Sequence, residues 1–407
     1  MDSALTFVPE NIYSLEGKGL KLTTPADIEP YLAEIKAIPT LELLQLNGNT
    51  IGPEAARALA DTLKTKNSLK VAQLYDIFTG RLKEDVKEAV KVLCDALVDM
   101  PHLVELNLSD NAFGPIGAES MFHFLVHSPA LQTLKVNNNG LGIQGGRLIA
   151  KALLERQERF TAEGRPSTMR CLIAGRNRLE NGSSKALANA FAAHGTFTDV
   201  RMPQNGIRSE GVRNLCLGLT HCPNLTTLDL QDNTFVASGS LVLAEALASW
   251  PQLTHLNLGD CLLGPKGGLA VAAELAKLQP NLQELHLGYN EMEQNAALVL
   301  SQAVVAMESL KTLDINGNRF DPECDAVTLI KAALEENDNL DALGSLSDME
   351  EMTDDEDGSD SDSDSAEEES EDDGSEEEDG EIKPVKASSQ DSAIDELADE
   401  LAGQLKV

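Results

Sequence analysis

This chain is short of positive charge. Its 407 residues carry 32 Lys and Arg against 67 Asp and Glu, a formal net charge of −35. Such a field repels a nucleic-acid backbone rather than tracking one. The chain also lacks any apolar run approaching the roughly 20 residues of a membrane span. Its start, Met1-Asp2-Ser3-Ala4-Leu5-Thr6-Phe7, has no hydrophobic signal region, so neither membrane insertion nor secretion is expected. A cysteine framework is missing too: Cys94, Cys171, Cys216, Cys222, Cys261 and Cys324 show no paired spacing and read as free thiols of a reducing cytosol. There is no G-x-x-x-x-G-K-[ST] loop and no G-x-G-x-x-G fingerprint, so no nucleotide site of its own is expected. His123 and His127 stand four apart on an expected helix, but no third ligand or H-E-x-x-H motif accompanies them, and no resident metal is expected. These absences leave a binding surface as the expected business of the chain.

What is present is a repeated grammar, L-x-x-L-x-L-x-x-N-x-L. It reads Leu41-Leu44-Leu46-Asn49-Ile51, Leu103-Leu106-Leu108-Asn111-Phe113 and Leu131-Leu134-Val136-Asn139-Leu141, and continues to Leu310-Leu313-Ile315-Asn318-Phe320. Two degenerate copies, at Ile12–Leu22 and Leu69–Ile77, bring the set to about eleven leucine-rich repeats. The asparagine position recurs every 28 or 29 residues except for two steps of 34 and 38. A solenoid stacks like units, so extra residues are expected to leave as edge loops. One such loop contains Phe78-Thr79-Gly80-Arg81, the other Glu158–Arg170.

Within a repeat, L-x-L puts two leucines on one side of a short strand. A helical half follows, as in Leu243, Ala246, Leu247 and Trp250 at i, i+3, i+4 and i+7. One unit cannot bury its apolar face alone; stacking joins the leucines, each worth about 2 kcal/mol when fully buried. The expected fold is therefore an α/β leucine-rich-repeat solenoid, with parallel strands on the concave face and helices on the convex one. The recurrent asparagine both donates and accepts, so it is expected to satisfy backbone groups where strand turns into loop. Cys261 occupies the same slot as a weaker substitute.

The departure from this pattern is Asp76-Ile77-Phe78-Thr79-Gly80-Arg81-Leu82-Lys83, where the asparagine is lost and two cations enter. The residues allow an exposed basic loop, or an arginine held at the solenoid edge to face phosphate or carboxylate.

The loop sequences resemble the Ran GTPase-activating protein family. The segments that carry the resemblance include Glu16-Gly17-Lys18-Gly19-Leu20-Lys21-Leu22, Asp76-Ile77-Phe78-Thr79-Gly80-Arg81, Asn138-Asn139-Gly140-Leu141-Gly142 and Gly175-Arg176-Asn177-Arg178-Leu179-Glu180-Asn181-Gly182-Ser183. The resemblance runs from about residue 12 to 340, and generic leucine-rich repeats would share the leucines without these loops. It implies a ribonuclease-inhibitor-like solenoid that stimulates GTP hydrolysis on the small GTPase Ran, as an activator of the partner's active site rather than an enzyme in its own right. It implies that Asn138 orients the GTPase's own catalytic Gln and that Arg81 is needed for activity without being inserted as an arginine finger. Lys83, Arg178 and Asp232 fall on family loop positions and are implied to bind the partner. No cofactor of its own is implied, since GTP and Mg2+ are carried by the GTPase. Further implied partners are a Ran-binding protein and, below, an exportin; the protein is expected to be a monomer, cytoplasmic, with nuclear-envelope association or nuclear shuttling. Both Arg81 and Asn138 are expected on exposed rims, two repeats apart.

Three segments are expected along the chain: a repeat domain over 1–345, a disordered acidic tail over 346–390, and a short amphipathic segment over 391–407. Residues 341–407 hold 27 acidic and 3 basic side chains, a composition that cannot bury a core. Ser359, Ser361 and Ser365 have acids three positions on, as acid-directed kinases require. Leu397, Leu401, Leu405 and Val407 resemble a nuclear export signal. Ending at 407, without room for the extra C-terminal domain of animal relatives, the chain resembles the fungal, soluble type. The alternative expectation is a non-catalytic acidic leucine-rich-repeat scaffold, such as a histone chaperone.

Overall fold

The computed structural model describes residues 6–278 and 281–350. Thirteen short strands occur among them: β1 (Ile12–Ser14), β2 (Lys21–Leu22), β3 (Leu43–Gln45), β4 (Thr50–Ile51), β5 (Val71–Gln73), β6 (Glu105–Asn107), β7 (Thr133–Lys135), β8 (Cys171–Ile173), β9 (Asp199–Arg201), β10 (Thr227–Asp229), β11 (His255–Asn257), β12 (Glu284–His286) and β13 (Thr312–Asp314). Eleven of them form one sheet in the order β1-β3-β5-β6-β7-β8-β9-β10-β11-β12-β13, while β2 and β4 pair separately at one edge. Neighbours are parallel and in strict register, with Leu106 opposite Leu134 and Leu134 opposite Leu172. Each strand spans about one repeat's worth of buried side chain: the central residue, such as Leu106, Leu134 or Leu228, has no exposure, and its two neighbours face the concave surface.

The helices return the chain along the convex side: α1 (Pro25–Ala37), α2 (Pro53–Leu63), α3 (Lys83–Leu97), α4 (Gly114–His127), α5 (Gly142–Ala162), α6 (Glu180–His194), α7 (Ser209–Leu219), α8 (Val236–Leu247), α9 (Gly264–Leu278), α10 (Gln294–Val305) and α11 (Asp325–Glu336). Their apolar stripes meet the strand leucines, so the core is one continuous slab. None of the described helices is long and apolar enough to cross a membrane, and all six cysteines are free, five of them buried.

The two long steps differ, and only the longer one departs from the expectation of an edge loop. In the 38-residue step, Glu158–Ala162 belong to α5, and only residues 163–170 are irregular. The cause is Arg156, which is fully buried. Its guanidinium donates to the carbonyls of Leu125 at 3.2 Å, Leu131 at 3.3 Å and Ser128, and to Thr168 Oγ1 at 2.9 Å. It also lies 4.5 Å from the Phe160 ring centre, while Arg165 covers that ring at 3.9 Å. One arginine thus ties the end of α4 to an extended α5. In the 34-residue step the expected loop is present: residues 78–82, with Phe78-Thr79-Gly80-Arg81, are irregular before α3 begins at Lys83.

The recurrent asparagines form the expected ladder. Asn139 Nδ2 donates to the carbonyls of Leu108 and Val136, both at 3.0 Å, and its Oδ1 accepts from the Asn111 N–H at 2.9 Å. Asn177 repeats the pattern on Val136, Ala174 and the Asn139 N–H. Two of the three links of each asparagine cross a repeat boundary, so the carboxamides stitch the stack where the strand bond pattern ends. Cys261 keeps only weak bonds, from Sγ to Leu230 O at 3.3 Å and Gly259 O at 3.5 Å; burial pushes its thiol up to about 12.

At the far end, residues 346–350 are ordered against the last repeats, five residues past the expected limit of 345. Asp348 accepts from Tyr289 Oη at 2.6 Å and Asn316 Nδ2 at 3.0 Å, and the Glu350 N–H donates to Asn318 O at 3.0 Å. The rest of the acidic stretch, with Ser359, Ser361 and Ser365, and the pattern Leu397, Leu401, Leu405 and Val407 lie outside the described residues.

The weak ladder link predicts a stabilising change. Cys261→Asn places a carboxamide where eight other repeats carry one and gives the Asn233 N–H an oxygen acceptor in place of sulfur. Urea unfolding should show a gain of about 1 kcal/mol; a loss would mean that the slot in this repeat has adapted to sulfur.

Candidate functional site

The residue just before each ladder position has a left-handed backbone. Positive φ recurs at Gly48, Asp76, Asp110, Asn138, Arg176, Gln204, Asp232, Asp260, Tyr289 and Gly317, between 48° and 75°. The ladder side chain must point inward while the chain turns from strand to helix, and this conformation turns the preceding side chain outward. It costs about 1–2 kcal/mol per residue with a Cβ, and backbone bonds hold it. The Asp110 N–H donates to Asn137 O, the Asn138 N–H to Gly175 O and the Arg176 N–H to Pro203 O, each at 2.9 Å. The rim therefore carries a column of outward side chains on a bonded backbone.

Asn138 stands in that column and is exposed, whereas its neighbour Asn139 is 1% exposed. Asn138 Nδ2 donates to Asp110 Oδ1 of the preceding repeat at 2.9 Å. That carboxylate can only accept, so it fixes which end of the carboxamide is the donor. The Oδ1 of Asn138 has no partner among the described residues and stays available to a donor from outside.

Arg81 differs from the expectation of an exposed rim side chain. It is half-buried and folded onto the edge of the first two repeats. Its Nε donates to Thr50 Oγ1 at 3.0 Å, and one Nη donates to Thr23 Oγ1 at 3.1 Å, Thr50 O at 3.2 Å and Leu22 O at 3.3 Å. These acceptors flank the β2–β4 pair, so the guanidinium clamps that pair to the third repeat. Nearby, Asp27 is held below the usual carboxylate range, first by the Thr24 N–H, then by the Thr24 hydroxyl and the Thr23 N–H, with Arg81 a smaller contributor. Thr50, gripped by Arg81, also lines a cleft of about 230 Å³ together with Gly19, Leu20, Gly48, Asn49, Asp76 and Thr79.

Lys83 is the exposed first residue of α3, Arg178 is exposed with φ 54°, and Asp232 is half-exposed with φ 54°. None of the three forms an ion pair among the described residues. Arg81 and Lys83 follow β5, Asn138 follows β7, Arg178 follows β8 and Asp232 follows β10. At about 4.8 Å per strand, the five occupy one edge about 24 Å long, with Arg81 and Asn138 about 10 Å apart along the stack. They share a face without touching one another. Sequence reasoning missed Asp110, Thr23 and Thr50; the recurrence of Asp, Asn and Gly just before the ladder residue was the available signal for the column, because these types tolerate positive φ. His123 and His127 stack at 4.2 Å between ring centres, and no group able to hold a metal occurs among the described residues.

A family profile described as Leucine Rich repeat matches residues 37–60, 99–122, 221–241 and 251–272. The Ran GTPase-activating protein 1 of Saccharomyces cerevisiae is 39% identical over 352 residues, covering 82% of this chain and 86% of the yeast protein. This chain belongs to the Ran GTPase-activating protein family. Its relatives named for that activity include Ran GTPase-activating protein 1 of Xenopus laevis, 42% identical over 82% of this chain and 58% of its own length. The Ran GTPase-activating protein of Drosophila melanogaster is 38% identical over 76% of this chain and 52% of its own length. The chain thus spans little more than half of these two animal members of the family, and most of the yeast one.

The neighbours Asn138 and Asn139 should separate cleanly in stability. Asn139→Ala removes a carboxamide that serves three buried backbone groups and should cost about 2–4 kcal/mol. Asn138→Ala should stay within about 0.5 kcal/mol of the parent. Urea unfolding of both variants checks this; equal effects would contradict the division between inner ladder and outer column.

Proposed function

We infer that this protein stimulates GTP hydrolysis on the small GTPase Ran. The reading rests on one observation above the others: an exposed carboxamide, Asn138, anchored by Asp110 on a rigid rim, in a chain of this family. Hydrolysis requires an in-line water and stabilisation of developing charge, and GTPase activators supply up to about 10⁵-fold. A fixed carboxamide acceptor can orient the GTPase's own catalytic Gln without adding charge. GTP and Mg2+ arrive with Ran, and the solenoid contributes geometry.

Arg81 acts from within the rim. Its guanidinium is spent on Leu22, Thr23 and Thr50, which supports a role in fixing the edge that meets Ran and argues against an arginine finger. Lys83, Arg178 and Asp232 extend the contact along the same edge. In this reading the protein works in the cytoplasm as a monomer, keeps Ran·GTP low there, and so supports the gradient for nucleocytoplasmic transport. A Ran-binding protein and an exportin are further partners of the same scheme.

Phosphate release from excess Ran·GTP tests the reading. Catalytic amounts of the parent should accelerate it, and should not accelerate hydrolysis by unrelated small GTPases. Asn138→Ala should slow turnover by one to several decades, each decade being about 1.4 kcal/mol of barrier, without loss of stability. Arg81→Ala should slow it as well and cost about 1 kcal/mol of folding stability through the lost clamp. A well-folded parent that leaves the rate unchanged would favour the acidic scaffold instead.

A further inference from the structure

Positive charge is concentrated in one band of an otherwise acidic chain. Residues 135–213 carry 13 Lys and Arg against 6 Asp and Glu, a local net charge of +7 within a total of −35. Part of this excess is arranged regularly on the helical side. Arg147, Lys185 and Arg213 are each the eighth residue after a ladder asparagine, namely Asn139, Asn177 and Asn205. They therefore occupy equivalent places on α5, α6 and α7, and all three are exposed.

None of the three forms an ion pair among the described residues. Arg147 Nε instead donates to the Gly182 carbonyl in the first turn of α6 at 2.7 Å, which directs its guanidinium toward the neighbouring helix. The carboxylates of the adjoining first turns, Glu180 and Glu210, make no ion pair with them either. The row is bounded at both ends. The equivalent residue one repeat earlier is Glu119, paired with Lys87 at 3.3 Å, and one repeat later it is Leu241. Three uncompensated cations in register repel one another, and the first turns of three helices add partial positive charge beneath them. Elsewhere on the helical side Arg57, Lys64 and Lys91 have acidic partners, while Lys266 and Lys331 are exposed without an ion pair among the described residues but belong to no row of equivalent positions.

We propose that the Arg147–Lys185–Arg213 row is a docking surface for an extended acidic segment of a partner protein, with carboxylates recurring at every third residue. Packed helices lie about 8–10 Å apart, which sets the spacing of the row. A polyproline-II strand rises about 3.1 Å per residue with three residues per turn, so every third side chain falls on one side, about 9 Å apart. The two spacings agree. The narrowness of the band favours such a segment over nucleic acid or an anionic membrane. A wider polyanion would press on the acidic repeats to either side, where the field of the chain is repulsive. The row is on the helices, away from the column that carries Asn138, so it can be occupied while that column is engaged.

The test uses the full chain and a fluorescein-labelled (Glu-Pro-Pro)5 peptide, with anisotropy read at low and moderate salt. The parent should bind, and more weakly as salt rises. The triple variant Arg147→Glu/Lys185→Glu/Arg213→Glu should bind at least tenfold more weakly. The control Lys64→Glu/Lys91→Glu/Lys277→Glu makes the same change in net charge and should stay within about twofold of the parent. Circular dichroism reports folding of each variant, and unchanged phosphate release from Ran·GTP would mark the row as separate from the hydrolytic edge. No binding by the parent, or equal losses in the two triple variants, overturns the proposal. So does a single-stranded oligonucleotide or an anionic phospholipid vesicle that binds more tightly than the peptide through the same three residues.

Discussion

The structure depends on a side-chain amide that bonds in both directions. Parallel strands only three residues long make few backbone bonds before the chain turns. Beyond them the polar backbone would be buried without partners, at a cost of about 1–3 kcal/mol per group. The asparagine carboxamides meet that need twice over. They donate to two carbonyls, one in their own repeat and one in the repeat before, and accept an N–H from the repeat before. The leucine slab drives the stack together, and the carboxamide column decides that successive turns superpose without drift. Only with superposed turns do the outward residues line up into a face.

That alignment is what the proposed function draws on. Asn138 and Asn139 are the same residue type, adjacent in sequence, with opposite work. Asn139 points in and closes the backbone; Asn138 points out because the left-handed turn before the ladder residue requires it. Asp110 then holds the exposed amide from the equivalent position one repeat away. Arg81 is a second case of support from a neighbouring turn, binding Thr23 and Thr50 of the two preceding repeats. Both residues are oriented by the stack, as a site built on repeated rigid units allows.

Much of this was legible in the amino-acid sequence. Leucine spacing specified the solenoid because the spacing is itself the condition for a shared core, and the asparagine slot announced its ladder because only a carboxamide serves both senses of bond. The loop sequences were distinctive enough to point to the family. Glu158–Ala162 could not be read, because their helical state follows from Arg156, a charged residue that sequence reasoning sends to the surface. Its burial becomes sensible only when the carbonyls of Leu125, Ser128 and Leu131 are seen around it. Arg81 was misjudged for a similar reason: its partners lie 31 and 58 residues earlier, and nothing local marks them.

The central claim is that the outward column, rather than the helical side, meets the GTPase. Hydrogen–deuterium exchange of this protein alone and with Ran·GTP tests it most directly. The account predicts added protection over residues 76–83, 110–114, 138–142 and 176–180, with the outer faces of α3 to α7 unchanged. Protection confined to those helices, with the column exchanging as in the free protein, would contradict it.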